Sequence, residues 1–124
     1  MSQEVTVNAS LEYSDSEGSE CPPLELTNFF ANVTTKRFVR LKQNIGTSEE
    51  AIKLGELTTL GWAMFINRDL TNFINIKVAT GGAIFAKLFP GECCGPLRLG
   101  SGAQAPFAIA DTAACQMDVL IIEV

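Results

Sequence analysis

Short runs in which apolar and polar residues alternate one by one constrain this chain more than any other feature. In "TNFINIKVATGG" the residues Phe73, Asn75 and Lys77 fall on one side and Ile74, Ile76 and Val78 on the other, before a Gly81–Gly82 turn. A period of two belongs to an extended strand with differing faces; a helix repeats every 3.6 residues. "VTVNASLEY" does the same near the N-terminus, setting Val5, Val7, Ala9, Leu11 and Tyr13 against polar neighbours as a half-buried strand would. In "KRFVRLK", Arg37, Val39 and Leu41 point one way and Lys36, Phe38, Arg40 and Lys42 the other.

Turn signals separate these runs. "SDSEGSECPP" reads as a loop, "GTSEE" as a turn, and Pro90–Gly91 closes the strand "AIFAKLFPGE". "TSEE" has the form of a helix cap, but Gly55 and β-branched neighbours confine any helix to about a turn. "AIKLGEL" reads as a further strand, and "GWAMFINRD" is apolar on both faces, as a central strand would be. "GPLRLG", "FAIA" and "CQMDVLIIEV" complete the series. About eight or nine short strands, spaced by roughly 8–12 residues, predict an all-β fold: a single antiparallel β-sandwich of jelly-roll type.

The 124 residues suit one domain, taken here as 1–124 with an acidic N-terminal strand and loop over 1–25. No apolar stretch is long enough to span a bilayer, and "MSQEVTVNAS" lacks the basic and apolar regions of a secretory signal. Synthesis in a cytoplasm, with no membrane partner, is the expectation. The net charge of −5 is unevenly placed. Residues 1–25 hold six acids and no base, whereas the remainder holds eight acids and nine bases. Lys36, Arg37, Arg40 and Lys42 cluster within seven residues. Overall acidity argues against nucleic acid as a partner. The cluster reads either as a solvated strand face or as contact with an acidic protein surface.

The inventory is poor in reactive groups. There is no histidine, the usual general base and the commonest transition-metal ligand. Cys21, Cys93, Cys94 and Cys115 form no C-x-x-C pair, and adjacent thiolates fit one tetrahedral zinc badly. An oxidising setting would permit a disulfide from Cys21 to Cys93 or Cys115. Otherwise the cysteines read as small packing residues. Glu49 and Glu50 would point apart on an extended chain, and "GSGAQAP" lacks the lysine of a phosphate loop. Trp62 and the eight phenylalanines read as core rather than as a sugar-stacking platform. The expectation is a protein with no catalytic residues, no metal and no cofactor.

Several stretches resemble small structural proteins encoded among the virion genes of tailed phages: "YSDSEGS", "VTTKRFVRLKQNIGTSEEAIKLGEL", "GWAMFINRDLTNFINI", "AKLFPGE…RLG" and "PFAIADTAACQMDVLIIEV". The resemblance covers nearly the whole chain. Where such relatives carry an ordinary strand of the "ALFRL" kind after the Pro-Gly-Glu turn, this chain has "CCGPLRL". Cys93 and Cys94 then stand at strand positions, and Gly95–Pro96 predict a bulge or break. The resemblance implies a non-enzymatic virion component. In particular it implies a capsid decoration (cement) protein on the exterior of the shell, trimeric and bound to the major capsid protein. Tail, neck or baseplate components are the alternative it leaves, and a host-carbohydrate-binding module is a third. Lys36, Arg37, Arg40 and Lys42 are the candidate interaction residues.

Overall fold

The alternating runs become strands, paired antiparallel throughout. The structure, a computed structural model, describes residues 5–14, 18, 20–31, 37–99 and 105–123, the side chains of Tyr13 and Glu20 excepted. Among them there is no helix, and ten strands form: β1 (Val5–Ser14), β2 (Glu20–Ala31), β3 (Phe38–Ile45), β4 (Glu50–Ala51), β5 (Leu60–Asn67), β6 (Ile74–Lys77), β7 (Ile84–Leu88), β8 (Cys93–Arg98), β9 (Phe107–Ala110) and β10 (Cys115–Glu123). They make three sheets, β1-β2, β3-β10-β5-β8 and β4-β9-β6-β7. The all-β antiparallel class therefore holds. The count exceeds the expected eight or nine because β2 takes in Cys21, Pro22 and Pro23, which the sequence had placed in a loop. In a two-stranded sheet every strand is an edge, where a missing N–H need not break a ladder.

The chain divides into two units, Met1–Thr34 and Thr35–Val124. The first is the β1-β2 ribbon. Its register slips between Val7 and Ala9, opposite Phe29 and Leu26. At the slip Asn28 adopts φ +53° and donates its backbone N–H to the Asn8 side chain at 2.8 Å. Asparagine tolerates that left-handed conformation better than most residues. Of the alternating set, Val5 and Val7 are buried, but Ala9 and Leu11 are exposed. The half-buried strand is realised only at its start.

The second unit holds a core contributed by both four-stranded sheets. Ile45, Phe65, Met117, Val119 and Ile121 come from one sheet, and Ile74, Ile76, Leu88 and Ala108 from the other. β5 and β10 lie inside their sheet, and "GWAMFIN" buries one face in the core and leaves the other half-buried. Expected strand "AIKLGEL" reduces to β4, which Gln43 pins from within. Its amide donates to Ala51 O at 3.0 Å and to Glu50 Oε1 at 3.1 Å, and accepts from Lys53 N at 2.9 Å. The hairpin turn at Gly81–Gly82 forms as expected, with Gly82 N donating to Ala79 O at 2.9 Å.

After the Pro-Gly-Glu turn the chain continues as β8, with a bulge rather than a break. The β5–β8 register shifts between Ala63 and Phe65. Gly95 sits there at φ +97°, and a Cβ added to it would lie 2.6 Å from Ala63 O. Only glycine fits such a position. All four cysteines are free. Cys94 and Cys115 are buried packing residues, and burial pushes both thiols up, Cys93 adding to it for Cys94 and Asp69 and Asp111 for Cys115. Cys21 and Cys93 are exposed, so the packing reading fails for them.

Candidate protein-interaction surfaces

The outer face of the β3-β10-β5-β8 sheet is built from three cross-strand rows. Phe38, Ile122, Trp62 and Arg98 form the first, and Arg40, Leu120 and Met64 the second. The third is Lys42, Asp118, Ile66 and Cys93. Phe38 is 64% exposed, and Trp62, Met64, Ile66, Leu120 and Ile122 are half-buried. Residues directly opposite across antiparallel strands share a face, so pairing alone assembles this strip. Between the second and third rows Arg40, Met64, Ile66, Asp118 and Leu120 line a shallow depression of about 100 Å³.

Three cations and one acid decide the charge of this face. Asp118 accepts a hydrogen bond from Arg68 Nε at 2.6 Å. That bond holds its carboxyl below the usual range, and the charges of Arg68, Arg40 and Lys42 add to it. Arg40, Lys42 and Arg98 are exposed, leaving the face positive. The basic cluster expected from sequence is thus split. Arg40 and Lys42 project beside Phe38 as anticipated, whereas Arg37 forms an ion pair at 2.8 Å with the buried carboxylate of Glu123. Lys36 lies outside the described residues. Sequence reasoning placed Trp62 in the core, whereas it stands half-buried on this face with Met64, Leu120 and Ile122, because an apolar residue on a strand carries no mark of which face is covered.

A second exposed surface lies in this unit where three loop segments converge. "NRDLTNFI" and the Pro-Gly-Glu turn are tied by Asn67 N to Glu92 O at 3.0 Å and by Gly91 N to Asn67 O at 2.9 Å. "ADTAAC" joins through Asp111 N to Phe73 O at 3.0 Å and Thr112 Oγ1 to Asn72 Oδ1 at 2.9 Å. Asn67 is fully buried at the centre. It donates to Asn72 O at 2.9 Å and Leu88 O at 2.8 Å and accepts from Asp69 N at 2.8 Å. Asp69 caps the turn through Asn72 N and Thr71 N, and those two bonds lower its pKa. This scaffolding presents Leu70, 91% exposed, at the tip. Three residues further along the chain, Phe73 meets Phe89 edge-to-face at 5.8 Å, and Lys87 Nζ sits 4.3 Å over the Phe73 ring.

The aromatic expectation is corrected by these surfaces. Of the eight phenylalanines only Phe65 is buried; Phe29, Phe30, Phe38, Phe85 and Phe89 are exposed. Glu49 and Glu50 point apart, as expected. Glu49 grips the hairpin through Lys77 Nζ, Thr80 Oγ1 and Gly81 N, which lower its pKa, while Glu50 accepts from Gly46 N and Gln43. Among the described residues no group of three or more His, Cys, Asp or Glu side chains is placed to hold a metal ion. No family model, curated protein or solved structure matches the chain. Its role must be argued from its surfaces.

Proposed function

We propose that this protein is a non-enzymatic structural component of a phage virion: a jelly-roll-like β-sandwich that decorates the exterior of the capsid as a homotrimer and clamps neighbouring copies of the major capsid protein. The observation that carries this reading is that one core presents apolar side chains in two separate places, the basic-rimmed sheet face and the Leu70 end. A protein that bridges subunits needs contacts of this kind and no reactive group. Any ligand that binds the assembled lattice better than free subunits stabilises the lattice, and a trimer multiplies weak contacts. Leu70, held on a turn that is already hydrogen-bonded, is the anchor towards the shell. Rigid apolar anchors lose little conformational freedom on docking.

Copies per purified particle test the assignment. Hundreds are expected; six or twelve would move the protein to the tail, neck or baseplate and end the decoration reading. Full-length Leu70→Asp protein, expected to keep its melting temperature, should bind bare capsids at least about tenfold more weakly. Unchanged binding would remove Leu70 as the shell anchor.

A further inference from the structure

The loop segments that present Leu70 carry carboxylates without cations. Elsewhere in the second unit Glu49, Asp118 and Glu123 are paired with Lys77, Arg68 and Arg37. Among the described residues Asp69, Glu92 and Asp111 form no ion pair. All three belong to the converging segments. Glu92 O accepts from Asn67 N at 3.0 Å, and Asp111 N donates to Phe73 O at 3.0 Å. Asp69 and Asp111 both push up the Cys115 thiol, so their charges act on one place. The two cations of these segments are engaged: Arg68 Nε on Asp118 at 2.6 Å, and Lys87 Nζ over the Phe73 ring at 4.3 Å. Leu70, 91% exposed, therefore stands on a negative surface.

We infer that this surface docks on a partner protein at an apolar pocket rimmed by lysine and arginine, with Leu70 in the pocket and Asp69, Glu92 and Asp111 facing the rim. The inference rests on Leu70 as the anchor proposed above and names the chemistry of what receives it. Charge selects the occupant. Nucleic acid and anionic lipid carry the same sign as this surface. A second copy of the same surface would set three carboxylates against three. Like charges at an interface act against it, whereas complementary ones orient and speed encounter. An apolar anchor supplies affinity where water is excluded, and the charges around it choose the pocket. Two of the carboxylates are fixed before docking. Glu92 Oε1 accepts from Phe89 N at 2.9 Å, and Asp69 Oδ2 from Asn72 N at 2.6 Å. Groups held in place lose little freedom on binding. Asp111 is exposed and has no such tie among the described residues, so it is the position to vary.

The probe is bare capsids, with binding of the full chain followed by co-sedimentation at about 0.05 M and about 0.3 M salt. Asp111→Lys should bind about tenfold more weakly than wild type at the lower salt, and the gap should narrow at the higher. Asp111→Asn should fall between them. Glu56→Lys makes the same change in net charge at another exposed position and should bind as wild type does. Position 111 is exposed, so the melting temperature should hold in both of its variants. Asp111→Lys protein that binds as well as Glu56→Lys protein would overturn the inference. Loss of binding in Leu70→Asp would then leave Leu70 an anchor in a pocket without a basic rim. Tighter binding by Asp111→Lys would overturn it too, by assigning the pocket an acidic rim. Wild type that fails to bind capsids would sink the capsid reading and this inference together.

Discussion

Glu123 and Arg37 meet at 2.8 Å, and the carboxylate half of the pair is only 1% exposed. The same carboxylate accepts from Thr58 N at 2.7 Å, Thr58 Oγ1 at 3.2 Å and Thr59 N at 3.2 Å. One residue at the end of β10 thus fastens the segment entering β5 to the residue preceding β3. Donors aimed at a carboxylate favour its ionised form. The Thr58 backbone bond comes first here, with Thr59 and Arg37 adding to it against the cost of burial, and the pKa falls from 4.5 to about 2.

A depressed carboxyl pKa makes stability fall with acid. The contribution of Glu123 is complete above its unfolded value of 4.5 and is lost as the pH drops towards about 2. Urea midpoints should therefore decline across that window. Glu123→Gln should flatten the decline, whereas Arg37→Ala should leave most of it, because the Thr58 bond dominates. Parallel curves for wild type and Glu123→Gln would show that the linkage lies elsewhere.

Gly95 and Gly81 both have positive φ, +97° and +65°, yet differ in their surroundings. A Cβ on Gly95 would press on Ala63 O at 2.6 Å, while one on Gly81 meets nothing within 4 Å. Gly95→Ala should destabilise by more than the roughly 1–3 kcal/mol of backbone strain alone, since the β5–β8 ladder must also shift. Gly81→Asn should cost under about 1 kcal/mol. Thermal melts of the two variants decide the matter, and equal losses would discard the clash argument.

Removing the Asn67 side chain strands the buried Leu88 carbonyl, the half-buried Asn72 carbonyl and the Asp69 N–H. Asn67→Ala should cost about 1–3 kcal/mol. Asn67→Asp should cost more, because a carboxylate would face the carbonyls of Asn72 and Leu88 where the amide now donates. Proteolysis at Arg68 should rise in both variants. Retained protease resistance would mean that the turn does not depend on Asn67.

Thiol labelling separates the cysteines. Cys21 and Cys93 should react in the folded protein, and Cys94 and Cys115 only after denaturant, since burial raises their pKa and blocks access. Mass spectrometry should find two labels in native protein and four in unfolded protein. Chelator and reductant should leave the melting temperature within about two degrees. Four rapid labels would refute the packing of Cys94 and Cys115.

Strand identity was legible because the period of two is a local property. Ile74, Ile76 and their polar partners declare a strand whatever surrounds them, and Gly81–Gly82 declare its turn. The charge asymmetry was equally local: Glu4 to Glu25 and the Arg40–Lys42 pair are visible in the unfolded chain. Side was a different matter. Alternation says that two faces differ and leaves open which one another sheet will cover. Phe65 and Phe38 look alike in sequence, yet one is sealed in the core and the other is 64% exposed. Trp62 and Met64 face outward because β10 and β8 flank β5 in a register that turns Ala63 and Phe65 inward. Arg37 left its cluster for Glu123, a partner 86 positions later in the chain, and no local pattern encodes that meeting. Pairing between distant strands decided these cases, because burial is a property of what lies opposite a residue.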